Sequence, residues 1–419
     1  MLHNRRNQMV IGAVVLLGLL AVLQHWFGMY RPKSAWLRAA QEFIVTSSAD
    51  RGPGSLREAI FAADSAADRA RLILRSDRIV LESSLPPLVN PLGVIVEADG
   101  VDSEIDARNI GGGPVFDIDA PNSAISNLKI RSAPEQAVLV RKDGFRLLNV
   151  TVTGSDVGLY AAEGVSDLLA ENSRFERNRI GILLTTGSSG IVLRNNKFSG
   201  HQDAAVWAVR SDRLPAPTSQ QVQLKGNYFE GDRFSIVLGN FPALVEANDF
   251  FMAKEAAVYL LGTGAVVKGN RIRNGAGVGI FAHTTQGVVI EGNEVNHNQT
   301  LAVLVRSSQD AVVQSNRLYS NGYGIAFVLG ENERPNIATE NIVISQQFDG
   351  IILIGDSPLI QGNRVLNNRL AGLRILDFLP STGSRVASDP FLANNILNGN
   401  KLNDPIRGEY RVRAVKTAK

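Results

Sequence analysis

The sequence predicts an all-β protein, a single-domain parallel β-helix of about 11–12 coils with about 22–23 residues in each. Short apolar runs recur with a nearly fixed period, an asparagine follows each run, and no long segment has helical periodicity. The period is 21–25 residues, with one longer step of 32. The recurrent asparagines are Asn127, Asn149, Asn172, Asn195, Asn227, Asn248, Asn270, Asn293, Asn316, Asn341 and Asn363.

Each repeat contains two or three runs of four to six residues that alternate apolar and polar side chains, as in 279–298 and 350–368. Several short strands within a period near 22 are typical of one β-helix coil. A leucine-rich repeat would need a leucine frame, and an α-solenoid would need long helices. We expect the asparagines to stack at one corner as a hydrogen-bonded ladder, about 4.8 Å apart. The β-helix is expected over 90–400, with a basic tail at 401–419.

The charge distribution argues against nucleic-acid binding. The formal net charge is +3, but residues 1–40 hold five cations and no acid, and residues 401–419 hold six cations and two acids. The body between them is therefore net negative, at −6, and repels a phosphate backbone. The absence of Cys excludes disulfides and thiolate metal sites. The five His and four Met form no recognisable metal site, and no cofactor is expected.

An apolar segment near the N-terminus predicts a membrane anchor. Residues 9–30 are largely apolar, follow Arg5 and Arg6, and are long enough to cross a hydrocarbon layer of roughly 30 Å. We expect residues 1–8 to be a short N-terminus on the cytoplasmic side and residues 31–42 to be a linker. The alternative is a cleaved signal peptide, for which no clean cleavage site follows directly.

Residues 43–89 are expected to cap the open end of the solenoid. Within the segment GPGSLREAI (52–60), Ser55 is placed to cap a helix, and Glu58, three residues on, completes a capping box. Ser55 as a nucleophile would need a nearby His, and none follows within 130 residues. The helix is expected over 55–68, with an apolar stripe at helical spacing formed by Leu56, Ile60, Ala63 and Ala67.

The strand that begins with each G-I-x-L run has an unusual solvent-facing side. Alternate side chains point out of a β-strand, and the inward positions are uniformly apolar. The outward positions, which we call the outward stripe, are also largely apolar. Its first row is expected to be Leu139, Tyr160, Leu183, Trp207, Val237, Tyr259, Phe281, Leu304, Ala326, Ile352 and Arg374. Its second row is expected to be Arg141, Ala162, Thr185, Val209, Gly239, Leu261, His283, Arg306, Val328, Ile354 and Leu376.

Three interpretations of the outward stripe remain open. The protein's own loops or tail can cover it, a protein partner or a second copy can bind it, or it can be a groove for sugar rings. Insertions at 211–219, 329–338 and 379–388 all follow this strand and would wall one edge of the stripe. In the sugar-groove interpretation, the substrate-binding residues are Tyr160, Trp207, Tyr259, Phe281, Arg141 and Arg374.

The best candidate for chemistry on the stripe is His283, which is expected beside Arg306 on the next coil at about 4.8 Å. Tyr259 and Phe281 lie alongside. A His/Arg pair can neutralise a uronate carboxylate or abstract a sugar ring proton, the chemistry of lyases and C5-epimerases. The alternative is an ordinary polar patch.

Two carboxylate sets are further candidates. Asp117 and Asp119 lie on one face of a strand, about 6.6 Å apart by strand rise, which is within the range for glycosidase carboxylates. Asp102, Glu104 and Asp106 alternate in the same way. Both sets are expected beside the cap, away from the aromatic rings, as solvated faces.

The Gly, Asn and apolar strand positions resemble the right-handed parallel β-helix superfamily, in its repeat-rich carbohydrate-binding and sugar-hydrolase group, over roughly 90–400. Residues 45–64 resemble the opening segment of many secreted bacterial β-helix proteins, although Gly54 stands where those typically have Cys. The resemblance implies a polysaccharide substrate on the outward stripe. The Asp-Pro-His motif of mannuronan epimerases is missing after Ile325, and the paired aspartates of β-helix pectinases are not evident.

Two functions follow as hypotheses. The first is a membrane-anchored protein of the inner membrane with its β-helix in the periplasm, which binds or modifies a polysaccharide in exopolysaccharide production or export. As an enzyme it would be a polysaccharide lyase, a C5-epimerase or a glycoside hydrolase. The second is a non-enzymatic scaffold that uses the stripe for a protein partner or self-association.

Overall fold

The computed structural model describes residues 41–100, 103–209, 222–330, 334–376, 386, 388–402 and 413–414. These residues form one parallel β-solenoid of about 13 turns with a single helix, so the predicted all-β fold is confirmed. The turns outnumber the predicted 11–12 because the first strands of the solenoid precede the first recurrent asparagine and carry no such marker.

The predicted membrane anchor at 9–30 lies outside the described residues. Within the part of the chain that the structure describes, no helix is both long and apolar enough to cross a membrane.

Three parallel sheets run along the solenoid, and the strands are short because each turn bends at three corners. Sheet 1 has sixteen strands: Gln41–Val45, Ala70–Leu74, Val94–Ala98, Ala124–Ser126, Arg146–Leu148, Leu169–Glu171, Val192–Arg194, Val222–Lys225, Ala243–Glu246, Ala265–Lys268, Val289–Glu291, Val312–Gln314, Ile337–Thr339, Leu359–Gln361, Phe391–Ala393 and Arg413–Ala414. Sheet 2 has fourteen strands: Arg78–Val80, Glu104–Asp106, Lys129–Arg131, Thr151–Thr153, Arg174–Glu176, Lys197–Ser199, Tyr228–Glu230, Asp249–Phe251, Arg271–Arg273, Glu294–Asn296, Arg317–Tyr319, Ile342–Ile344, Arg364–Leu366 and Ile396–Asn398. Sheet 3 has twelve strands: Phe116–Ile118, Gln136–Val140, Val157–Ala161, Ile180–Leu184, Ala204–Val209, Phe234–Gly239, Ala256–Thr263, Val278–Gln286, Leu301–Arg306, Tyr323–Val328, Ile351–Ile354 and Leu373–Leu376.

The helix α1 (Leu56–Asp64) begins one residue after the predicted start at 55 and ends four residues before the predicted end at 68. Ser55 is the N-cap, and its side-chain oxygen accepts from the backbone N–H of Glu58 at 3.3 Å. The Glu58 carboxylate accepts from the N–H of Gly54 at 2.7 Å, one residue before the cap position. Ala67, expected on the buried face, is exposed beyond the end of the helix. The buried face is formed by Leu56, Ala59, Ile60 and Ala63.

Replacing Ser55 by Ala is expected to lower the free energy of unfolding by about 1 kcal/mol, because the N–H of Glu58 then loses its side-chain acceptor at the N-terminus of the helix. The measurement is the urea midpoint of the purified protein. Glu58→Gln is the control, since the amide oxygen still accepts from Gly54, and its effect should be smaller. An equal loss in the two variants would contradict the assigned role of Ser55.

The core of the solenoid is filled by inward side chains that stack from turn to turn. The clearest stack lies on sheet 2, where four phenylalanine rings are nearly parallel, with centroids 5.2, 4.8 and 4.7 Å apart in successive pairs. All four are fully buried: Phe175, Phe198, Phe229 and Phe250. Such offset ring stacks add stability beyond the area they bury.

The asparagine ladder is present, but its first members differ from the predicted ones. From Asn227 onward, each Oδ1 accepts from the backbone N–H and from the Nδ2 of the asparagine one turn earlier, at 2.9–3.1 Å. The Oδ1 of Asn196, the first member, accepts from the N–H of Ser173 at 2.9 Å. The ladder consists of Asn196, Asn227, Asn248, Asn270, Asn293, Asn316, Asn341, Asn363 and Asn395.

Four of the predicted ladder residues occupy the neighbouring corner position instead. They are exposed and have φ between 52° and 58°, in the left-handed region: Asn127, Asn149, Asn172 and Asn195. Asparagine suits both positions, because it tolerates the left-handed conformation and also offers a donor and an acceptor. The pair Asn195-Asn196 contains one residue of each kind, which hid the shift of one residue in the sequence.

Candidate functional site

The strands of sheet 3 have the register that the sequence predicts, so the outward positions form continuous rows, although four first-row side chains are themselves buried: Leu139, Val237, Ala326 and Ile352. The first row runs from Leu139 to Arg374 without a shift, and the second row is in register from Val209 to Leu376. The inward neighbours are fully buried. The side chains of the aromatic residues on the stripe are half-buried, so each keeps part of its surface accessible: Tyr160, Trp207, Tyr259 and Phe281.

The rings of Tyr259 and Phe281, first-row neighbours on adjacent turns, form one cluster with the imidazole of His283 in the second row. The phenol oxygen of Tyr259 is 3.1 Å from Nδ1 of His283, within hydrogen-bond distance. The imidazole is stacked on Phe281, with centroids 5.4 Å apart and planes inclined by 10°. The rings of Tyr259 and Phe281 are 5.0 Å apart. Ring packing and the hydrogen bond therefore hold the imidazole from two sides.

Arg306 is the strand neighbour of His283 on the next turn, as the sequence predicts. Its side chain is exposed and has no ion pair among the residues that the structure describes. Burial lowers the pKa of His283 below its usual value, and the positive charge of Arg306 lowers it further. Burial raises the pKa of Tyr259, and Arg306 offsets part of that rise. At neutral pH the cluster therefore holds a neutral imidazole, a protonated phenol and a cation.

The two other arginines assigned to the stripe are both held by carboxylates. Arg141 makes two bonds to Asp117, at 2.7 and 3.2 Å. Arg374 makes two bonds to the buried carboxylate of Asp349, at 2.7 and 2.8 Å. Such bidentate pairs neutralise the guanidinium and fix its orientation. Of the three arginines, Arg306 alone keeps a free charge.

The sequence predicts that the carboxylates of the first coils lie away from the stripe. This prediction is wrong for Asp117, which is the strand neighbour of Leu139 in the first row. The strand Phe116–Ile118 belongs to sheet 3, although no G-I-x-L run marks it. Asp106, expected to be solvated, is buried and bonded to Arg78 and Arg108.

A row of alternating charges, which sequence reasoning missed, borders one edge of the outward stripe. Each residue stands directly before one of five successive strands of sheet 3. Arg179 bonds to the carboxylates on both neighbouring turns, at 2.6 and 2.8 Å, and Arg233 approaches its two neighbours at 4.0 and 3.8 Å. We call this the charged rim: Asp156, Arg179, Asp203, Arg233 and Glu255. The alternation of signs at the repeat period was visible in the aligned sequence.

The opposite edge of the stripe is a corner at which the chain turns through a left-handed residue. This residue directly follows the second row in six turns: Asn240, Gly262, Thr284, Ser307, Leu329 and Gly355. At His283 the corner also contains an irregularity, because the register of the two longest strands shifts after Leu261 and leaves Thr284 unpaired. Bulges of this kind re-aim the adjacent side chain and are frequent beside active sites.

A buried carboxylate lies just beyond this corner. Asp356 accepts from Nδ2 of Asn336 at 2.8 Å, its other oxygen has no partner, and burial raises its pKa to about 6. A Cβ added to Gly330 would lie 2.1 Å from the carboxylate, so the preceding turn packs directly on it.

Asp356 makes the stability depend on pH. Because its pKa is higher in the folded than in the unfolded protein, stability is highest below about pH 4, falls as the pH rises, and is fully reduced above about pH 6. Asp356→Asn is expected to raise the unfolding free energy at pH 7.5 by about 2–3 kcal/mol and to change little at pH 3.5. Urea titrations at both pH values measure this. An equal effect at the two pH values would contradict a buried, ionising Asp356.

Among the described residues, no cluster of three or more His, Cys, Asp or Glu is arranged to hold a metal ion. A surface depression of about 300 Å³ lies on sheet 2, lined by Glu294, Arg317 and Tyr319 among others. It is on a different face from the stripe.

The chain is similar, at low sequence identity, to three solved structures. The catalytic unit of a thermostable GH87 α-1,3-glucanase from Streptomyces thermodiastaticus has a TM-score of 0.53 and 14% identity, with 89% of this chain and 71% of that chain covered. The A-module of the mannuronan C-5 epimerase AlgE4 of Azotobacter vinelandii has a TM-score of 0.49 and 12% identity, with 90% and 100% covered. A variant of the periplasmic alginate epimerase AlgG has a TM-score of 0.44 and 14% identity, with 78% of each chain covered.

A search of curated proteins by sequence found no match. The family model described as "Right handed beta helix region" matches residues 96–216 and 216–370, which together are more than half of the chain. With the three parallel sheets and the stacked core already described, this match places the chain in a known family: the protein is a member of the right-handed β-helix family.

Proposed function

We propose that the outward stripe binds a polysaccharide and that the cluster of Tyr259, His283 and Arg306 abstracts the C5 proton of a uronic acid residue in it. This step is common to polysaccharide lyases and C5-epimerases. The observation that carries the proposal is the hydrogen bond between Tyr259 and His283 beside an arginine without an ion pair. The catalytic unit of the α-1,3-glucanase, a protein of the same fold, supports a polymer of sugars as the class of substrate.

The cluster contains the three groups that such a reaction needs. Arg306 neutralises the carboxylate of the uronate, which makes the neighbouring C5–H bond more acidic. His283 is neutral, so with Nδ1–H donating to the oxygen of Tyr259, its Nε2 lone pair is free to take the C5 proton.

Elimination then follows with a balanced transfer of protons. The electrons of the C5–H bond form a C4–C5 double bond, and the bond between C4 and the glycosidic oxygen breaks. The hydroxyl of Tyr259 protonates the departing oxygen, and the imidazolium returns a proton to the phenolate through Nδ1. In the epimerase variant of this chemistry, C5 is reprotonated on its opposite face and the chain stays intact.

The aromatic residues earlier in the first row extend the binding face. Tyr160, Trp207 and Tyr259 stand two turns apart from one another, roughly 10 Å by the spacing of strands. Accessible rings at regular intervals suit stacking against successive sugars of an extended chain. We propose further that residues 9–30 anchor the protein in the inner membrane, and that the β-helix acts in the periplasm on an exopolysaccharide during its production or export.

The test is incubation of the protein with a panel of uronate polymers in D₂O. A lyase produces the absorbance of an unsaturated uronate, and an epimerase incorporates deuterium at C5 without cleavage. Neither signal with any polymer would contradict the proposed catalysis. If, in addition, His283→Ala and Arg306→Ala leave glycan binding unchanged while Trp207→Ala alters the oligomeric state, the scaffold function replaces it.

A further inference from the structure

We infer that the glycan on the outward stripe is a heteropolysaccharide in which single uronate residues are separated by uncharged sugars. The inference rests on the proposed function, and it concerns the distribution of cations along the stripe. Among the described residues of the two rows, Arg306 is the one arginine without an ion pair, since Arg141 and Arg374 are neutralised by Asp117 and Asp349.

The first row carries no charged residue over many turns on both sides of this single cation. Ten consecutive turns, from Leu139 to Ile352, place an uncharged residue at the first outward position. At one strand spacing per turn this is roughly 43 Å of sheet, along which six of the ten side chains are partly accessible and Leu139, Val237, Ala326 and Ile352 are buried. A homopolymer of uronates would lay a carboxylate over nearly every one of these turns. Removing each from water without a cationic partner is unfavourable, so such a polymer fits the surface poorly.

The charged rim is a second feature that does not favour a polymer with a carboxylate on every sugar. Its three acids outnumber its two arginines, and both arginines are already shared between neighbouring carboxylates. Beside the turns that carry Trp207 and Tyr259, the two acids Asp203 and Glu255 are balanced by Arg233 and by the exposed Lys254. This edge therefore offers a polyanion no unpaired arginine, and its carboxylates accept hydrogen bonds from the hydroxyl groups of neutral sugars.

The test compares the affinities of polymers that differ in the density of carboxylates. Isothermal titration calorimetry would use gellan, which has a single glucuronate in each repeat, together with carboxyl-reduced gellan and polymannuronate. We expect gellan to bind roughly tenfold more tightly than either of the others, the usual effect of one charge-assisted hydrogen-bonded pair. Arg306→Gln should lower the affinity for gellan to that for the reduced polymer and leave the affinity for the reduced polymer unchanged.

Arg317→Gln on sheet 2 is the matched control, because it removes an exposed arginine from another face and should change none of the affinities. Equal or tighter binding of polymannuronate, with turnover, would overturn the inference and leave the proposed function standing. Absence of binding to all three polymers would overturn both. A loss in Arg306→Gln that is equal for gellan and reduced gellan would also overturn the inference, since the loss would then not depend on the carboxylate.

Discussion

His283→Ala is expected to lower turnover of a uronate-containing polymer by at least about 100-fold, the usual contribution of a positioned general base. The binding affinity should change much less, because the ring of Phe281 and the charge of Arg306 remain. Initial rates measured from unsaturated product or from C5 deuteration give the effect on kcat and KM separately. Tyr259→Phe is the companion variant: it keeps the packing against Phe281 and removes only the hydroxyl that contacts His283.

The pH dependence provides a readout that a purely structural role would not affect. A general base must be deprotonated, so the acidic limb of kcat/KM follows the pKa of His283. Burial and the charge of Arg306 lower that pKa, and the limb should lie below the usual histidine value of 6.5. In Arg306→Gln the limb should move to higher pH. A limb unaffected by this change would contradict the assignment of His283 as the base.

Asn293→Ala is expected to lower the unfolding free energy by about 3–5 kcal/mol, since it removes a buried residue from the middle of the ladder. The Oδ1 of Asn293 accepts from the N–H and Nδ2 of Asn270 at 3.0 and 2.9 Å. Its Nδ2 donates to the carbonyl of Val267 and to Oδ1 of Asn316. Alanine leaves several of these groups buried without a partner.

Asn172→Gly is the matched control for the ladder variant. Asn172 was grouped with Asn293 by sequence, but it is exposed at φ 52°. Glycine adopts this conformation freely, so the change should alter stability by no more than about 0.5 kcal/mol. Both variants are compared by urea denaturation at one pH. Similar losses in the two would contradict the distinction between the ladder and the left-handed corner.

The solenoid and the register of sheet 3 could be predicted because inward and outward residues alternate strictly and the pattern repeats at each turn. The spacing between His283 and Arg306 is one period, so their adjacency followed directly from the repeat. The end of α1 was harder to predict, because Ala67 has the spacing of the apolar stripe but follows the last helical residue, Asp64. The start of the ladder was obscured because asparagine occupies two adjacent corner positions.

The electrostatic details of the site depend on side-chain geometry that the repeat does not specify. The bond between Tyr259 and His283 joins the first row of one turn to the second row of the next, and it requires particular rotamers. Arg141 is neutralised by Asp117, which lies on a strand that no G-I-x-L run marks. Arg374 is neutralised by Asp349, which lies outside the aligned rows. The sequence indicates three arginines on the stripe, but because of these two ion pairs only Arg306 keeps an unpaired charge.

The most direct measurement is a crystal structure of Tyr259→Phe, which should bind without turnover, in complex with an oligosaccharide that contains one uronate flanked by neutral sugars. We expect the oligosaccharide to lie along sheet 3, with its carboxylate within hydrogen-bond distance of the Arg306 guanidinium and C5 adjacent to Nε2 of His283. An oligosaccharide bound instead in the sheet 2 depression beside Tyr319, or a carboxylate pointing away from Arg306, would contradict the assigned site.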